Sequence, residues 1–400
     1  MRLLNPTPNN KLSLPVPAAD ALAASAALQQ LIAAEIAAHA GRISFARYME
    51  LALYAPRLGY YSGGAAKLGK DGDFTTSPEM SPLFGATLAH VAANLFDQTS
   101  ANIMEFGAGT GRLAFDILSE YQLAGIPLER YFIVELSGEL RARQEELLKD
   151  FAQVSWLPCM PEAFSGVVLG NEVLDAMPVS LVQKTESGWA ELGVSLNEEG
   201  GFILSAMANN AACDPALVAQ IPGAEELPPG YMTEVHPVAV GFIRSVGQML
   251  LAGYNNSGKA GVALWLDYGF PAQEYYLDQR QQGTLMCHYR HHAHLDPFYL
   301  PGLQDITAHV DFTAMAQAAL DVGLDLLAYT SQAGFLLEAG IGQLLLRTPV
   351  DDVHRYLPAA NALQKLTSPA EMGELFKVLV MGRGAELAPE LLRHDRRHRL

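Results

Sequence analysis

The sequence predicts an α/β fold organised around a mostly parallel, Rossmann-like sheet. Short apolar runs alternate with segments of helical period over residues 101–171, and this alternation is typical of a parallel sheet with crossover helices. A glycine-rich turn joins the first of these runs to its helix, as in nucleotide-binding folds. The chain has 400 residues, half of them hydrophobic and 17% charged, which indicates a globular protein too long for one simple core.

The N-terminal part precedes this alternation. Residues 1–18 are rich in Pro and Asn and are expected to be poorly ordered, whereas residues 20–40 form an Ala-rich helix that "SFARYMELALY" follows with helical period. The Gly-rich loop over 56–79 is long enough to be functional or mobile. Two Ser-Pro pairs follow, and we expect the next helix to start at the second, Ser81-Pro82, because proline fits a first helical turn.

The core elements follow from the periodicity. Strands are predicted at 101–106, 131–136, 154–157, 166–170 and 261–269, with helices at 111–123, 138–151 and 236–252. The segments "LDLLAYTSQ" and "LFKVLVMG" supply the last two strands. Between the fourth strand and the resumed core, "SLVQKTESGWAELGVSL" and "GFILSAM" predict antiparallel strands, which indicates an insertion.

These patterns divide the chain into regions. They are a poorly ordered N-terminus (1–18), N-terminal helices with a Gly-rich ligand loop (19–98), a core in two parts (99–180 and 236–385), an inserted antiparallel and loop region on the substrate side (181–235), and a C-terminal tail (386–400).

The charge balance limits the possible partners. Lys plus Arg number 26 and Asp plus Glu number 43, which gives a net charge of −17. Such an acidic chain lacks the basic surface that phosphate neutralisation needs, so we expect no nucleic-acid partner. A basic protein segment is a more natural partner. The alternative explanation of the net charge is that it serves only solubility.

The start of the chain and its cysteines suggest a compartment. The first residues contain no signal-peptide core, and no apolar run is expected to reach membrane-spanning length. The three cysteines, Cys159, Cys213 and Cys287, are scattered and odd in number, which suits a reducing environment. We therefore predict a cytoplasmic protein without a membrane partner, and a homodimer is one possible assembly.

The glycine-rich turn, "EFGAGTGRL", carries the first functional signal. Gly107, Gly109 and Gly111 alternate just before a helix. Glycines let a backbone turn sharply and lie close to a ligand, and the helix start beyond them offers unpaired N–H groups. A dinucleotide fingerprint would place its third glycine at Arg112, so the spacing disfavours an NAD-dependent oxidoreductase.

Two acids narrow the ligand further. Glu105 lies two residues before the first glycine, and Glu135 ends the next apolar run, where a ribose-binding carboxylate belongs in such folds. This combination is typical of S-adenosyl-L-methionine (SAM) sites, in which the first acid can face the ligand's ammonium group. A glycine-rich turn in another kind of α/β protein is the alternative.

Several longer motifs match one family. They include "GYY" at 59–61, "GDFTTSPE" at 72–79, "EFGAGTGRL" at 105–113, "GNEVLDAMPV" at 170–179, "DYGF" at 267–270 and "PGLQDITAHVDF" at 301–312. On these residues the chain resembles the MidA-like SAM-dependent methyltransferases, over roughly 56–382. The resemblance implies a class I methyltransferase fold, with a mostly parallel seven-stranded sheet, an N-terminal helical cap and insertions. Mitochondrial members are protein-arginine methyltransferases linked to complex I assembly, which implies a protein substrate with an arginine-containing segment.

The candidate catalytic residues are Glu172, Asp175 and Asn171. They follow the fourth strand, and parallel strands open their carboxyl ends onto one crevice. An arginine acceptor is cationic, so carboxylates are suited to hold it. Many amino-methyltransferases have Asn-Pro-Pro-aromatic at this place, and Asn-Glu here favours a cationic acceptor. Alternatively, Glu172 and Asp175 are an acid at a helix N-terminus and a solvated acid.

The other candidates surround that crevice. The candidate cofactor-binding residues are Glu105, Gly107, Gly109, Gly111, Glu135, Tyr60, Thr76 and Ser77, and the candidate substrate-binding residues are Glu79, His292 and Asp305. For Tyr60 core packing is the alternative, for Thr76 and Ser77 helix capping, and for Asp305 a turn. The His-rich run "CHYRHHAH" lacks zinc spacing, so no metal is predicted.

Three functions remain open on this basis. The leading one is a SAM-dependent methyltransferase that modifies a protein arginine. A SAM-binding assembly factor without turnover and a methyltransferase with another acceptor are the alternatives.

Overall fold

The computed structural model describes residues 14–63, 75–207 and 213–400. Most of the N-terminal segment predicted to be poorly ordered, and residues 64–74 of the predicted Gly-rich loop, lie outside the described residues.

Helices occur throughout the described chain. They are α1 Ala19–Ala38, α2 Phe45–Tyr54, α3 Ser77–Met80, α4 Pro82–Ala93, α5 Arg112–Ala124, α6 Gly138–Leu147, α7 Pro215–Val218, α8 Pro237–Ser257, α9 Ala272–Tyr275, α10 Phe312–Asp321, α11 Gln332–Glu338, α12 Ile341–Leu345, α13 Val353–Thr367 and α14 Met372–Leu375. Two 3-10 turns, Pro389–Leu392 and Arg397–Arg399, lie in the C-terminal tail.

The strands are β1 Arg42–Ser44, β2 Asn102–Phe106, β3 Arg130–Val134, β4 Val154–Leu157, β5 Gly166–Asn171, β6 Ser180–Thr185, β7 Gly188–Leu196, β8 Phe202–Ala206, β9 Met232–Val235, β10 Gly261–Phe270, β11 Met286–Tyr289, β12 His292–His294, β13 Asp305–Thr307, β14 Val310–Asp311, β15 Asp325–Ser331 and β16 Phe376–Arg383.

The main sheet has the order β4-β3-β2-β5-β10-β16-β15, and the two-residue β14 pairs with β10. From β4 to β10 all neighbours are parallel, whereas β16 is antiparallel to both β10 and β15. The predicted mostly parallel sheet of seven strands is therefore confirmed, with β14 as a short addition.

Helices cover both faces of this sheet, which explains why its central strands are apolar without alternation. Ile103 and Val167 face a cluster that includes residues of α4 and α5, whereas Met104 and Val168 face a cluster with residues of α8 and α10. Each fully buried aliphatic side chain contributes about 1.5–3 kcal/mol, so the sheet is a rigid support for its carboxyl-end loops.

A second, antiparallel sheet is formed by β1 and by strands that follow β5 in the chain. Its order is β1-β7-β6-β9, and β8 pairs with β7. The antiparallel strands predicted after residue 178 are therefore present. The participation of Arg42–Ser44, which pairs with β7, was not predicted because three residues give no periodic signal.

Element ends differ from the prediction by a few residues. The helix predicted over 138–151 ends at Leu147, and the helix predicted over 236–252 continues to Ser257, where Gly258 caps it with φ +70°. Glycine adopts that backbone conformation without strain. As predicted, α4 starts after Ser81, whose side chain accepts a hydrogen bond from the Leu83 N–H.

Among the described residues, one helix, α1, is long and apolar enough to cross a membrane by length and composition, with a mean hydropathy of 1.4. This corrects the expectation that no apolar run reaches that length. Leu28, Ile32 and Ile36 of α1 are buried in the cluster that joins the N-terminal helices to the antiparallel sheet. The helix therefore uses one face for packing within the protein.

The C-terminal tail covers the edge of the main sheet at β15. Arg396 donates its backbone N–H to the Tyr329 carbonyl (2.6 Å), and Asp395 Oδ1 accepts the Tyr329 N–H (3.0 Å). Asp395 also pairs with Arg397 at 2.8 Å. Covering an edge strand satisfies its backbone groups and blocks pairing with other chains.

Replacing Asp395 by Ala should destabilise the protein by about 1–2 kcal/mol, because the Tyr329 N–H loses a charged acceptor. Urea unfolding measures the change. The matched control is Glu390→Ala, which removes an exposed acid of the same tail and should leave the midpoint unchanged. Equal midpoints for both variants would contradict a role for Asp395 at this edge.

Candidate active site

The glycine-rich turn lies at the carboxyl end of β2, the central position in the parallel part of the sheet. Gly107, Gly109 and Gly111 all have positive φ, at 63°, 55° and 85°. A side chain is strained in this region, so the turn requires glycine at these places. Helix α5 begins at Arg112, directly after the turn, so the unpaired N–H groups of its first turn lie next to the glycines. The predicted strand, turn and helix therefore have the geometry of an anion- or nucleotide-binding turn.

Glu105 lies beneath this turn. Its carboxylate is 3% exposed and accepts a hydrogen bond from the Tyr131 hydroxyl at 2.7 Å. Burial raises the pKa of Glu105 to about 7 despite that bond. The structure thus places Glu105 under the backbone of the turn, and its predicted contact with a ligand stays a prediction.

Glu135 follows the end of β3 and is partly exposed. Its Oε1 accepts the Ser137 N–H at 2.8 Å, and its Oε2 accepts from the Gln144 side chain at 2.9 Å. Burial raises the pKa of Glu135, and both bonds oppose that shift. Two fixed donors hold the carboxylate at the rim of the crevice, where the sequence predicted a ribose-binding acid.

Gln144 was missed by the sequence reasoning. It is fully buried, and its Nε2 donates both to Glu135 and to the Gly109 carbonyl (2.9 Å). Its Oε1 accepts from the Trp156 indole N–H at 3.0 Å. One amide thus joins the glycine turn to the acid at the end of β3. A glutamine within a charged helix gives no sequence pattern that reveals such a role.

The variant Gln144→Met should bind S-adenosyl-homocysteine about tenfold more weakly, since it leaves the Gly109 carbonyl and the Trp156 N–H without partners. Titration calorimetry measures the affinity. Gln364→Met, at an exposed position of α13, is the control. Unchanged affinity in a folded Gln144→Met protein would contradict a connecting role for this residue.

Glu172 lies directly after β5 and has a positive φ of 54°. Such a backbone is strained for glutamate, and strain of this kind concentrates at functional sites. Its N–H donates to the Leu266 carbonyl, and its Oε1 accepts from the Asn171 side chain (3.1 Å) and the Ser77 N–H (3.4 Å). Burial, followed by the charge of Asp175, raises the pKa of Glu172 to about 8.

Asp175 lies one turn further on and is 5% exposed. Its Oδ2 accepts from the Tyr268 hydroxyl at 2.5 Å, whereas its Oδ1 is buried and has no hydrogen-bond partner in the described part of the chain. Burial raises the pKa of Asp175 to about 6, against the effect of the Tyr268 bond. The Asn171 Oδ1 is a second buried oxygen without a partner.

The short helix α3 touches both parts of the crevice. The Ser77 N–H meets Glu172, and Glu79 accepts a hydrogen bond from the Thr110 hydroxyl in the glycine turn. Thr76 is the residue before α3, and its side chain makes no capping bond. The structure therefore places Ser77 against Glu172 and Glu79 against the glycine turn, and the cofactor contact predicted for Ser77 and the substrate contact predicted for Glu79 stay predictions.

The remaining candidates lie in different surroundings. Tyr60 is fully buried in the N-terminal cluster, which is the core-packing alternative. Its neighbour Tyr61 donates its hydroxyl to both carboxylate oxygens of Asp305 at 3.0 Å, so Asp305 is held against the segment that follows α2. His292 is exposed on β12, and its Nδ1 lies 2.9 Å from the Arg290 carbonyl. Their predicted ligand contacts stay predictions.

The fold and site together define a class of protein. The parallel sheet with one antiparallel strand next to its edge, the glycine turn after its central strand and the acid after the adjacent strand are the arrangement of SAM-dependent methyltransferases. A family model described as "Putative S-adenosyl-L-methionine-dependent methyltransferase" matches residues 87–330. The chain belongs to this family, and SAM is its cofactor.

Similar proteins and structures agree with this class. The chain is 30% identical over 384 residues to the zebrafish (Danio rerio) "protein arginine methyltransferase NDUFAF7, mitochondrial", across 87% of this chain and 85% of that protein. It is 28% identical over 380 residues to the human protein of the same name, across 85% and 80%. A crystal structure of a Burkholderia thailandensis protein bound to S-adenosyl-homocysteine has a TM-score of 0.89 and 52% identity, across 97% of this chain and 100% of that chain.

These comparisons decide several sequence-based predictions. The resemblance to the MidA-like family, the class I methyltransferase fold and the SAM cofactor are confirmed. The predicted cytoplasmic location is contradicted, because the relatives from zebrafish, mouse and cattle are named as mitochondrial proteins.

Proposed function

We propose that this enzyme transfers the methyl group of SAM to an arginine side chain of a protein substrate. The observation that carries the proposal is a set of acceptor oxygens after β5 that lack donors. Among the described residues, Asp175 Oδ1 and Asn171 Oδ1 are buried without hydrogen-bond partners, and the hydrogen bonds described for the Glu172 carboxylate both go to its Oε1. Within the described ranges, neither acid forms an ion pair with Lys or Arg.

A guanidinium group suits such a set. It is planar and permanently charged, carries five N–H donors and has no acceptor. Each acid has one oxygen fixed by a protein donor, Ser77 or Tyr268, and we assign the other oxygen of each acid to the acceptor. Two carboxylates that each have one oxygen already bonded to a protein donor can therefore hold two N–H groups of one guanidinium in a defined plane with their other oxygens.

Methyl transfer requires mainly that the acceptor nitrogen and the methyl group be aligned. With SAM bound, a guanidinium nitrogen would attack the methyl carbon in line, the bond from that carbon to the sulfonium sulfur would break, S-adenosyl-homocysteine would leave, and the methylated nitrogen would then release a proton. Glu172 and Asp175 hold the guanidinium so that one nitrogen faces the methyl group. They also stabilise its charge in surroundings that exclude much of the water. A raised carboxylate pKa suits brief acceptance of the released proton.

The choice of arginine rests on the relatives together with the charge. An ammonium group would also satisfy unpaired acceptors, but the zebrafish and human relatives are named protein arginine methyltransferases. The net charge of −17 favours a basic segment as the acceptor chain.

Transfer of labelled methyl groups to degenerate peptides tests the proposal. Three libraries differ only at one fixed central position, which is arginine, lysine or citrulline, with all other positions free of arginine and lysine. Citrulline keeps the shape of arginine without its charge. We expect label in the arginine library alone. Label in the lysine or citrulline library at the same rate, or none in the arginine library, would contradict the proposal.

A further inference from the structure

A buried carboxylate that is not among the sequence candidates organises the turn after β5. Asp267, near the end of β10, is 1% exposed. One of its oxygens accepts three consecutive backbone N–H groups, those of Val173 (3.2 Å), Leu174 (2.9 Å) and Asp175 (3.3 Å). Its other oxygen accepts the Tyr268 N–H at 2.9 Å. Asp267 thereby fixes the backbone from which the Asp175 side chain extends.

The next residue, Tyr268, fixes the side chain itself. Its hydroxyl donates to Asp175 Oδ2 at 2.5 Å. Its ring packs edge-on between His309 (5.1 Å between centroids) and Phe376 (5.3 Å), so the hydroxyl cannot swing away without breaking both contacts. With Oδ2 held, Oδ1 is the oxygen of Asp175 that has no donor among the residues described by the structure.

The same turn is also held by Tyr54 of α2 and by the segment that follows β13. The Ala308 N–H donates to the Asp175 carbonyl at 3.0 Å, and the Tyr54 hydroxyl donates to the Ala176 carbonyl at 2.9 Å. This segment passes so close to β10 that a Cβ on Gly269 would lie 2.1 Å from the Val310 carbonyl oxygen. Only glycine allows that approach.

The composition of this support is unusual for a merely structural turn. Asp267 is buried beside two other acids, Glu172 and Asp175, and no Lys or Arg of the described chain forms an ion pair with any of the three. Burial raises the pKa of Asp267, and the charges of Asp175 and Glu172 raise it further, so grouping three carboxyl groups is costly and a turn selected for stability alone would favour a neutral side chain. A group of acids without a cationic partner in the described chain is instead expected at a site that binds a cationic substrate.

We propose that Asp267 and Tyr268 are positioning residues that hold Asp175 with its Oδ1 directed at the N–H donors of the acceptor guanidinium. The inference rests on the proposed function, since it assigns the devices that orient one of the two acceptor carboxylates. It separates the roles of the acids: Glu172 and Asp175 contact the acceptor, whereas Asp267 acts through the backbone and Tyr268 through the side chain of Asp175.

The test compares two tyrosine variants that each lose one buried hydroxyl. Tyr268→Phe removes the donor to Asp175, whereas Tyr329→Phe removes a buried hydroxyl without a partner on β15 and serves as the matched control. Initial rates with the arginine library give the acceptor KM and kcat across pH. Calorimetry with S-adenosyl-homocysteine gives the cofactor affinity.

For Tyr268→Phe we expect an acceptor KM raised about fivefold or more, with cofactor affinity unchanged within twofold. The acid limb of the kcat/KM profile should move to higher pH by about one unit, because ionised Asp175 loses a donor that stabilises it. Asp267→Asn keeps one oxygen for the three amides and should raise the acceptor KM without a change in cofactor affinity.

Two failures are distinguishable. If the parent enzyme methylates the arginine library, and Asp175→Asn loses that activity while Tyr268→Phe matches Tyr329→Phe in KM and pH profile, the positioning role is overturned alone. If the parent enzyme does not methylate arginine, the proposed function itself is overturned. A purely structural role would instead lower the thermal stability of Tyr268→Phe and leave its pH profile in place, which also contradicts the positioning role.

Discussion

Glu172→Gln should lose about ten- to a hundredfold of the arginine-methylating activity and bind S-adenosyl-homocysteine as tightly as the parent enzyme, since a hydrogen bond to a charged group contributes about 1.5–3 kcal/mol. The amide is nearly the same size as the carboxylate, and its oxygen can still accept the Ser77 N–H. It carries no charge, and its NH₂ group would face the donors of the guanidinium. The glycine turn and Glu135 are not touched by the change, so cofactor affinity should be retained.

The matched control for this change is Glu146→Gln, at an exposed position where the acid forms an ion pair with Lys149. It should retain full activity, because exposed ion pairs contribute little. Asp175→Asn should also lose activity, and the double variant should lose less than the product of the two effects, because both acids hold one group. Full activity of Glu172→Gln, with cofactor binding intact, would remove Glu172 from the site.

Raising the pH from about 5 to about 8 should increase kcat/KM by about tenfold per unit at the acid end, because the acceptor acids must ionise to hold a cation. Burial raises the pKa of Asp175 to about 6 and that of Glu172 to about 8, with the charge of Asp175 adding to the shift of Glu172. The rate profile with the arginine library, in buffers of constant ionic strength, measures this dependence.

The same groups should affect stability in the opposite direction. An acid whose folded pKa exceeds its unfolded value stabilises the folded state fully below the unfolded pKa, and this contribution is lost as pH rises through the folded pKa. For Glu172 that window runs from about pH 4.5 to about pH 8. The parent enzyme should therefore lose stability relative to Glu172→Gln across this window in urea unfolding. A gain relative to the variant with rising pH would contradict the raised pKa.

The sequence was sufficient for the parts of the site that depend on one element. The glycine turn combines a buried strand, three alternating glycines and a helix start within ten residues, and its form follows from local sterics. Glu135, Glu172 and Asp175 were predicted to lie at one crevice because parallel strands end on the same side. The register of β2, β3 and β5 brings the carboxyl ends of these three strands level with one another, and the shared crevice stays a prediction.

The parts that depend on pairing between distant segments were not predictable. Asp267 and Tyr268 meet the turn at Asp175 across more than 90 residues, through the register of β5 against β10. The sequence "DYGF" does not indicate which backbone N–H groups donate hydrogen bonds to its aspartate. The motif was recognised only as part of a resemblance.

Glu79 shows a related limit. Its carboxylate accepts a hydrogen bond from Thr110 of the glycine turn, 31 residues away, and the sequence did not predict this contact. The direction in which a short helix such as α3 presents its side chains is decided by tertiary packing, and four residues give no helical period to predict it.

The most direct measurement of the central claim is protein methylarginine, quantified by mass spectrometry in cells with and without this chain. The comparison includes cells complemented with the parent enzyme, with Glu172→Gln and with Gly109→Asp, which places a side chain at a turn position of φ +55°. A methylated arginine that disappears on deletion, returns with the parent enzyme and returns with neither variant is the expected result. No change in any methylarginine, or full restoration by Glu172→Gln, would contradict the account.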